Sequence, residues 1–112
     1  MAKSARRLAA LLFWGNRPAK DLTPMEKEIL CAAVENDGWM IILRTNDKEW
    51  VHIGKTDFLE TSREPDRRLK ALEARASLIR RGYVQYEGNG ERLTPKGSPI
   101  ARRLCAKRAP NA

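Results

Sequence analysis

The sequence has a single histidine, two cysteines and few aromatic residues, and it contains no long apolar stretch. A membrane-spanning helix needs about 18–20 consecutive apolar residues, so the sequence predicts no membrane span. The N-terminal segment resembles a secretory signal, because basic residues precede a short apolar stretch that ends at Gly15. No small-x-small cleavage site follows that stretch, however. We therefore expect a cytoplasmic protein.

The sequence also lacks the residue patterns of catalytic and metal sites. His52 has no cysteine or second histidine at metal-ligand spacing, which argues against a zinc site. Ser62, Ser77 and Ser98 have no partner base in a recognisable arrangement. The segment Gly88-Asn89-Gly90 is not followed by the Gly-Lys-Ser/Thr of a phosphate-binding loop. We predict a binding module with no cofactor and no metal, and not an enzyme.

The two cysteines are far apart in the chain. Cys31 and Cys105 each occur within a helical apolar pattern. Disulfides are rare in reducing compartments, where thiols are kept reduced. For a cytoplasmic protein we therefore predict two buried free thiols.

Acidic residues are missing from both ends of the chain. Residues 1–20 contain five basic residues and residues 98–112 contain four, and the formal net charge of the chain is +8. Residues 21–61 are acidic overall, whereas residues 62–97 are basic overall. A polyanion would be attracted to the ends and to residues 62–97. The alternative is that the basic ends only keep a small protein soluble.

Local signals predict helices and β-hairpins in one small domain. The segment Thr23-Pro24-Met25-Glu26 is typical of a helix start with a capping box. We predict that Gly82 adopts a positive φ and ends a long helix. Asn89-Gly90 predicts a tight hairpin turn. We predict helices over residues 4–14, 24–36, 55–60, 65–81 and from 98 onward, and hairpins over 39–53 and 83–94.

Two features of the expected core concern aromatic residues and the long helix. Trp39 and Trp50 are expected to cap the core between the first hairpin and helix 24–36, with base stacking as the less favoured alternative. The helix over residues 65–81 has two apolar faces, so we expect neighbours to cover both. One face consists of Leu69, Leu72, Ala76 and Ile79, and the other of Ala71, Ala74 and Leu78.

Two motifs near the end of the chain carry a family resemblance. They are Leu78-Ile79-Arg80-Arg81-Gly82-Tyr83-Val84 and Leu93-Thr94-Pro95-Lys96-Gly97, on either side of the second hairpin. This pattern resembles the long helix and wing of a winged helix-turn-helix domain, as in MarR-like and PadR-like regulators. The resemblance implies an α+β winged helix-turn-helix fold, here with an extra β-hairpin and flanking terminal helices. The corresponding divisions are an N-terminal helix and linker (1–20), the winged-helix domain (21–97), and a C-terminal helix with a frayed tail (98–112).

The resemblance also implies a function. Winged helices of this kind insert the long helix into the major groove of duplex DNA and place the wing on the backbone. The candidate DNA-binding residues are Arg63, Arg67, Arg68 and Lys70 at the start of the helix, with Arg92 and Lys96 in the wing. An alternative is a solvated helix face with local ion pairs, such as Lys70 with Asp66.

The partners follow from the same resemblance. The resembled families dimerise through terminal helices, so we predict a homodimer. Its candidate contact residues are Leu8, Leu11, Leu12, Phe13, Ile100 and Leu104. The first functional hypothesis is a small DNA-binding transcriptional regulator or nucleic-acid accessory protein. The alternative is a winged-helix adaptor that binds another protein and not DNA.

Overall fold

The computed structural model describes residues 21–108 of the chain, which form an α+β arrangement of helices on an antiparallel sheet. The predicted helix over residues 4–14, with Leu8, Leu11, Leu12 and Phe13, lies outside the described residues. The elements of the described part are α1 (Pro24–Glu35), β1 (Trp39–Arg44), β2 (Glu49–Ile53), β3 (Thr56–Asp57), α2 (Arg67–Arg80), β4 (Val84–Glu87), β5 (Gly90–Leu93) and α3 (Gly97–Arg108). None of these helices has the length and apolar character that crossing a bilayer requires.

Helix α1 begins with the predicted capping box. The Thr23 hydroxyl accepts a hydrogen bond from the Glu26 amide at 3.1 Å, and the Glu26 carboxylate accepts one from the Thr23 amide at 2.9 Å. These two bonds satisfy amide groups that have no partner inside the helix. Ile29 and Leu30 are fully buried on the core side of the helix. The helix start predicted from sequence is therefore confirmed.

The sheet has the strand order β3-β2-β1-β5-β4, and all its pairs are antiparallel. The first hairpin pairs β1 with β2, and the second pairs β4 with β5, so both predicted hairpins are confirmed. The predicted Asn89-Gly90 turn is displaced by one residue, because Glu87 pairs with Gly90. The turn residues are Gly88 and Asn89, with a positive φ of 63° at Gly88.

The predicted short helix over residues 55–60 is wrong. Thr56 and Asp57 form β3, which pairs with Ile53 and His52 of β2. The next residue, Phe58, is fully buried, and its amide donates to the carbonyl of Val51 at 2.9 Å. A single helical turn is poorly stable by itself, whereas the sheet edge provides hydrogen-bond partners and the core provides a place for Phe58.

Helix α2 packs mainly through one of its two apolar faces. Ala71, Ala74 and Leu78 are buried, whereas Leu69, on the other face, is 53% exposed. Leu72 and Ile79 are only partly buried against the core. In the described part of the chain, one face is therefore covered as predicted, whereas the other is covered only in part.

Helix α3 lies beside α1. Ala101 is fully buried, and Ile100 and Leu104 pack partly buried against the core of their own chain. Cys31 and Cys105 form a disulfide between the two helices, with their Cα atoms 4.8 Å apart. The prediction of free thiols is therefore wrong. The two cysteines are 74 residues apart in sequence, and only the packing of α3 on α1 makes them neighbours.

The two motifs that carry the family resemblance contact each other. The Thr94 hydroxyl donates to the Gly82 carbonyl at 2.6 Å and accepts from the Gly97 amide at 3.0 Å. Gly82 has a φ of 79°, which confirms the predicted positive φ after the long helix. At Gly97, a Cβ atom would collide with the carbonyl oxygen of Tyr83. The two motifs therefore form one tight junction between the end of α2, the hairpin and the start of α3.

Candidate binding surfaces

Arg67, at the start of α2, is bound to α1. Its guanidinium donates to both oxygens of the Glu28 carboxylate, at 2.5 and 3.3 Å, and lies 5.0 Å from the centroid of the Phe58 ring. Only 15% of its side chain is exposed. The bond to Glu28 raises the pKa of Arg67 above its usual range. This predicted DNA-contacting residue therefore joins two helices within the fold.

Arg68 is held in a similar way by the segment that follows the first hairpin. Its Nε donates to Glu60 at 2.8 Å, and its Nη1 donates to the carbonyl of Glu49 at 3.1 Å. The Arg68 guanidinium lowers the pKa of the Glu60 carboxyl. The side chain is 19% exposed. Arg68 thus fixes the chain after β3 against β2.

The other two candidates at this end of α2 face solvent. Lys70 pairs with Asp66 at 3.2 Å, four residues earlier, as the ion-pair alternative predicted. Arg63 is exposed, and within residues 21–108 no carboxylate lies at salt-bridge distance from it. Of the four residues predicted to contact DNA at the start of α2, Arg67 and Arg68 bind groups within the fold, and Lys70 has a local partner. Arg63 is the one that is exposed without a carboxylate partner among residues 21–108.

The two wing candidates lie in different places. Arg92 pairs with Glu87 at 3.0 Å and stacks on the ring of Trp39 at 3.9 Å. Lys96 donates to the carbonyl of Arg81, the residue after α2, at 3.2 Å. Since Arg67 begins this helix of 14 residues, Lys96 lies roughly 20 Å from it along the helix axis. The structure therefore does not bring the six predicted residues onto one surface.

A different surface is formed by the side of the sheet that faces away from the core. Side chains alternate between the two faces of a strand. Met40 and Val51 belong to the core cluster together with residues of the helices, whereas their neighbours in sequence do not. Those neighbours are half-buried, and we call them the outer sheet face: Trp39, Ile41 and Leu43 of β1, with Trp50 and His52 of β2.

The positions of the two tryptophans correct a prediction. Trp39 and Trp50 were expected to cap the core, but both lie on the outer sheet face. In the register of β1 and β2, Leu43 pairs with Trp50 and Ile41 pairs with His52. These side chains therefore form two neighbouring rows of apolar and aromatic groups. None of the residues of this face belongs to the described hydrophobic core or to the partly buried residues packed against it.

Polar contacts hold one edge of the outer sheet face in place. The indole Nε1 of Trp50 donates to Asp57 Oδ1 at 2.9 Å, and His52 Nδ1 lies 2.6 Å from the same oxygen. The hydrogen bond from Trp50, together with that from His52, lowers the pKa of the Asp57 carboxyl. The opposite edge is formed by Arg92 on Trp39. Both tryptophan rings are thus held by contacts within the described chain.

The sequence does not reveal this surface, because β1 is apolar on both of its faces. In the segment Trp39–Arg44, five of the six residues are apolar, and a strand with that composition is typical of burial on both sides. In β2, Trp50 and His52 alternate with Val51 and Ile53. This alternation is a partial indication that one side of the sheet faces away from the core. No family model, curated protein or solved structure matches this chain.

Proposed function

We propose that this chain is a protein-binding module of winged-helix type that acts through its outer sheet face. The single observation that carries the proposal is the pair of apolar and aromatic rows on β1 and β2. Contiguous apolar surface on a folded protein commonly marks an interaction site. Tryptophan is also enriched among the residues that dominate binding energy at protein interfaces.

The order of the elements supports the winged-helix type. Strand β5 pairs with both β1 and β4, and the hairpin of β4 and β5 directly follows α2. This is the position of a wing after its long helix. In the described chain, β2 and β3 occupy the stretch between β1 and α2, where the first helix of a helix-turn-helix pair is expected. Within the described residues no helix lies between β1 and α2, so α2 lacks the companion helix that crosses the DNA backbone in a helix-turn-helix pair.

The charge on α2 favours a protein partner over base recognition. A helix that enters the major groove needs arginine or lysine side chains free to contact base edges. Arg67 and Arg68 already have carboxylate partners within the fold. The exposed side of the helix carries Leu69 and Glu73, and a carboxylate would be repelled by phosphates.

The partner chemistry follows from the shape of the surface. A sheet face with apolar rows on adjacent strands is suited to the apolar stripe of an amphipathic helix. We therefore propose a partner protein that presents such a helix, with its apolar residues against Ile41 and Leu43. The tryptophan rings at the two edges would then flank the bound helix.

The test is affinity capture with matched variants, followed by identification and purification of the captured protein. Leu43→Arg places a charge on the outer sheet face, and Leu69→Arg places the same charge on the exposed face of α2. We expect the purified partner to bind the wild-type chain and Leu69→Arg, but to bind Leu43→Arg at least tenfold more weakly. Equal loss of binding in both variants, with both still folded by circular dichroism, would contradict the proposal.

Duplex DNA binding is the second candidate, favoured by the net charge of +8. Arg80, Arg102 and Arg103 are exposed, and none has a carboxylate at salt-bridge distance within residues 21–108. Such residues would contact phosphates rather than bases. In this form of the hypothesis, random duplex DNA binds at about 150 mM salt. The double variant Arg102→Ala, Arg103→Ala would then weaken binding to all sequences alike and reduce the salt dependence.

The predicted homodimer is a separate proposal. Ile100 and Leu104 are partly used by the core of their own chain, so the terminal-helix interface would depend mainly on residues of the N-terminal segment. Light scattering at high micromolar concentration tests it: a monomer there would contradict the dimer.

A further inference from the structure

We propose that the reduced form of this chain binds one zinc ion through Cys31, Glu35 and Cys105. This site is independent of the outer sheet face and of the proposed function. The three donor groups belong to two helices, α1 and α3, and all their ligand atoms lie within 4.8 Å of one another. They are the one group of three or more possible metal ligands found among residues 21–108.

The donor set has the chemistry of a zinc site. Two thiolates and a carboxylate suit Zn²⁺, which is borderline-soft and accepts both sulfur and oxygen ligands. Cys31 and Glu35 are four residues apart on α1, so their side chains lie on the same side of the helix. Cys105 reaches this position from α3, which packs alongside.

One part of the geometry already fits tetrahedral coordination, namely the distance from the carboxylate to each sulfur. With Zn–S bonds of about 2.3 Å and Zn–O bonds of about 2.1 Å, a tetrahedral ion places each sulfur about 3.6 Å from the oxygen ligand. In the structure, Glu35 Oε1 lies 3.5 Å from Cys31 Sγ and 3.6 Å from Cys105 Sγ. The carboxylate oxygen is therefore already at the required distance from both sulfurs. The same ideal geometry places the two sulfurs about 3.8 Å apart. In the oxidised chain they are bonded to each other, so they must separate after reduction before both can bind one ion.

The disulfide and the zinc ion exclude each other. A disulfide sulfur carries no thiolate charge, so the oxidised chain offers only the carboxylate. A phosphine reductant breaks the S–S bond and is oxidised to its oxide with an oxygen from water, and each sulfur gains a proton. Zinc binding then displaces those two protons and forms two Zn–S bonds. Glu35 is exposed and Cys105 is half-buried, so the ion can enter from solvent and keep a water as its fourth ligand.

The experiment uses the full chain, reduced with a phosphine and desalted without oxygen. Cobalt(II) replaces zinc as a spectroscopic probe, because tetrahedral thiolate coordination gives a charge-transfer band in the near ultraviolet. We expect this band to saturate at one equivalent of cobalt and to disappear when zinc is added. Zinc should also raise the melting temperature of the reduced chain. The oxidised chain should show no band.

Variants separate the site from adventitious binding. Cys31→Ser and Cys105→Ser should each abolish saturable cobalt binding. Glu35→Gln should weaken it about tenfold or more while both thiolates remain. The control is Glu73→Gln, which alters an exposed glutamate on α2 and should leave the affinity unchanged. Since Glu35 is exposed, its variant is expected to fold. A reduced wild-type chain without the band, or an unchanged band in Cys105→Ser or in Glu35→Gln, would overturn the proposal.

Discussion

Arg75 of α2 binds the carboxylate of Glu91 in β5, and only 4% of the Glu91 side chain is exposed. This pair connects the long helix to the strand that lies between β1 and β4. A buried carboxylate is expensive to leave without a partner, because removing one member of a buried ion pair costs about 3–5 kcal/mol. The pair therefore helps to attach the hairpin of β4 and β5 to α2.

For the Arg75–Glu91 pair we predict a large loss of stability in one single variant and a recovery of stability in the double variant. Arg75→Met should lower the free energy of unfolding by about 3 kcal/mol, since it leaves Glu91 buried and unpaired. The double variant Arg75→Met, Glu91→Leu should recover most of that loss. Urea denaturation of the wild type, both single variants and the double variant measures the coupling. Additive effects of the two changes would show that the pair does not interact.

Arg67 should act on stability, whereas Arg63 should not. Arg67→Ala removes two hydrogen bonds to Glu28, and we expect a cost of about 1–3 kcal/mol. Arg63→Ala, at an exposed loop position four residues earlier, should change stability by less than about 0.5 kcal/mol. Thermal unfolding compares the two. If Arg67→Ala is as stable as the wild type but loses preference among DNA sequences, a base contact by Arg67 would be favoured instead.

The two glycines of the motif junction, Gly82 and Gly97, should differ in how strongly substitution by alanine destabilises the fold. At Gly82 nothing lies within 4 Å of an added Cβ. Gly82→Ala should therefore lower the free energy of unfolding only by about 1–2 kcal/mol, which is the cost of holding an alanine in a left-handed backbone conformation. At Gly97 the added Cβ meets the backbone of Tyr83, which cannot move without disrupting the junction. We expect Gly97→Ala to be the more destabilising of the two, by about 2 kcal/mol or more. Equal melting temperatures would contradict this.

The contact of Asp57 with Trp50 and His52 should weaken in acid. Folding lowers the pKa of the Asp57 carboxyl. The contribution of this carboxylate to stability is therefore fully present above the ordinary pKa of 3.8, and it is lost as the pH falls through the lower pKa of the folded state. We expect the indole N–H resonance of Trp50 to shift in that range. Asp57→Asn should remove the transition, and Asp47→Asn, in the β1–β2 turn, should retain it. An unchanged resonance down to pH 2 would argue against the hydrogen bond.

Reduction of the disulfide should destabilise the chain in the absence of metal. The bond closes a loop with a sequence separation of 74 residues, and the loop-entropy model gives about 4 kcal/mol for a loop of that length. Denaturation with and without reductant, in the presence of a chelator, measures the difference. Cys105→Ser serves as the control, since reductant should not alter its stability.

Local signals in the sequence were sufficient for most elements of the fold. The capping box of Thr23 and Glu26 gives α1 its start, and Gly82 gives α2 its end. Both depend on hydrogen bonds or backbone angles within a few residues. The two hairpins follow in the same way from turn residues and alternating strands. Only the register of the second turn was displaced by one residue.

The candidate sites were less accessible to sequence analysis. The partners of Arg67 and Arg68 are 39 and 8 residues distant, so a cluster of arginines on a helix could not reveal whether it faced solvent or other elements. Similarly, the helix expected over residues 55–60 became an edge strand because β2 and the core outcompeted one weak helical turn.

By itself, the sequence determined most of the segments that become helices and strands, the caps and turns that bound them, and that basic charge is concentrated at the two ends of the chain. Tertiary structure alone decided which face of α2 is buried, that Trp39 and Trp50 lie on the outer sheet face, and that Cys105 meets Cys31 and Glu35. The physical reason is the range of the interactions. Caps, turns and side-chain periodicity act over a few residues, whereas burial, ion pairing and sulfur contacts depend on elements that come together only when the chain is folded.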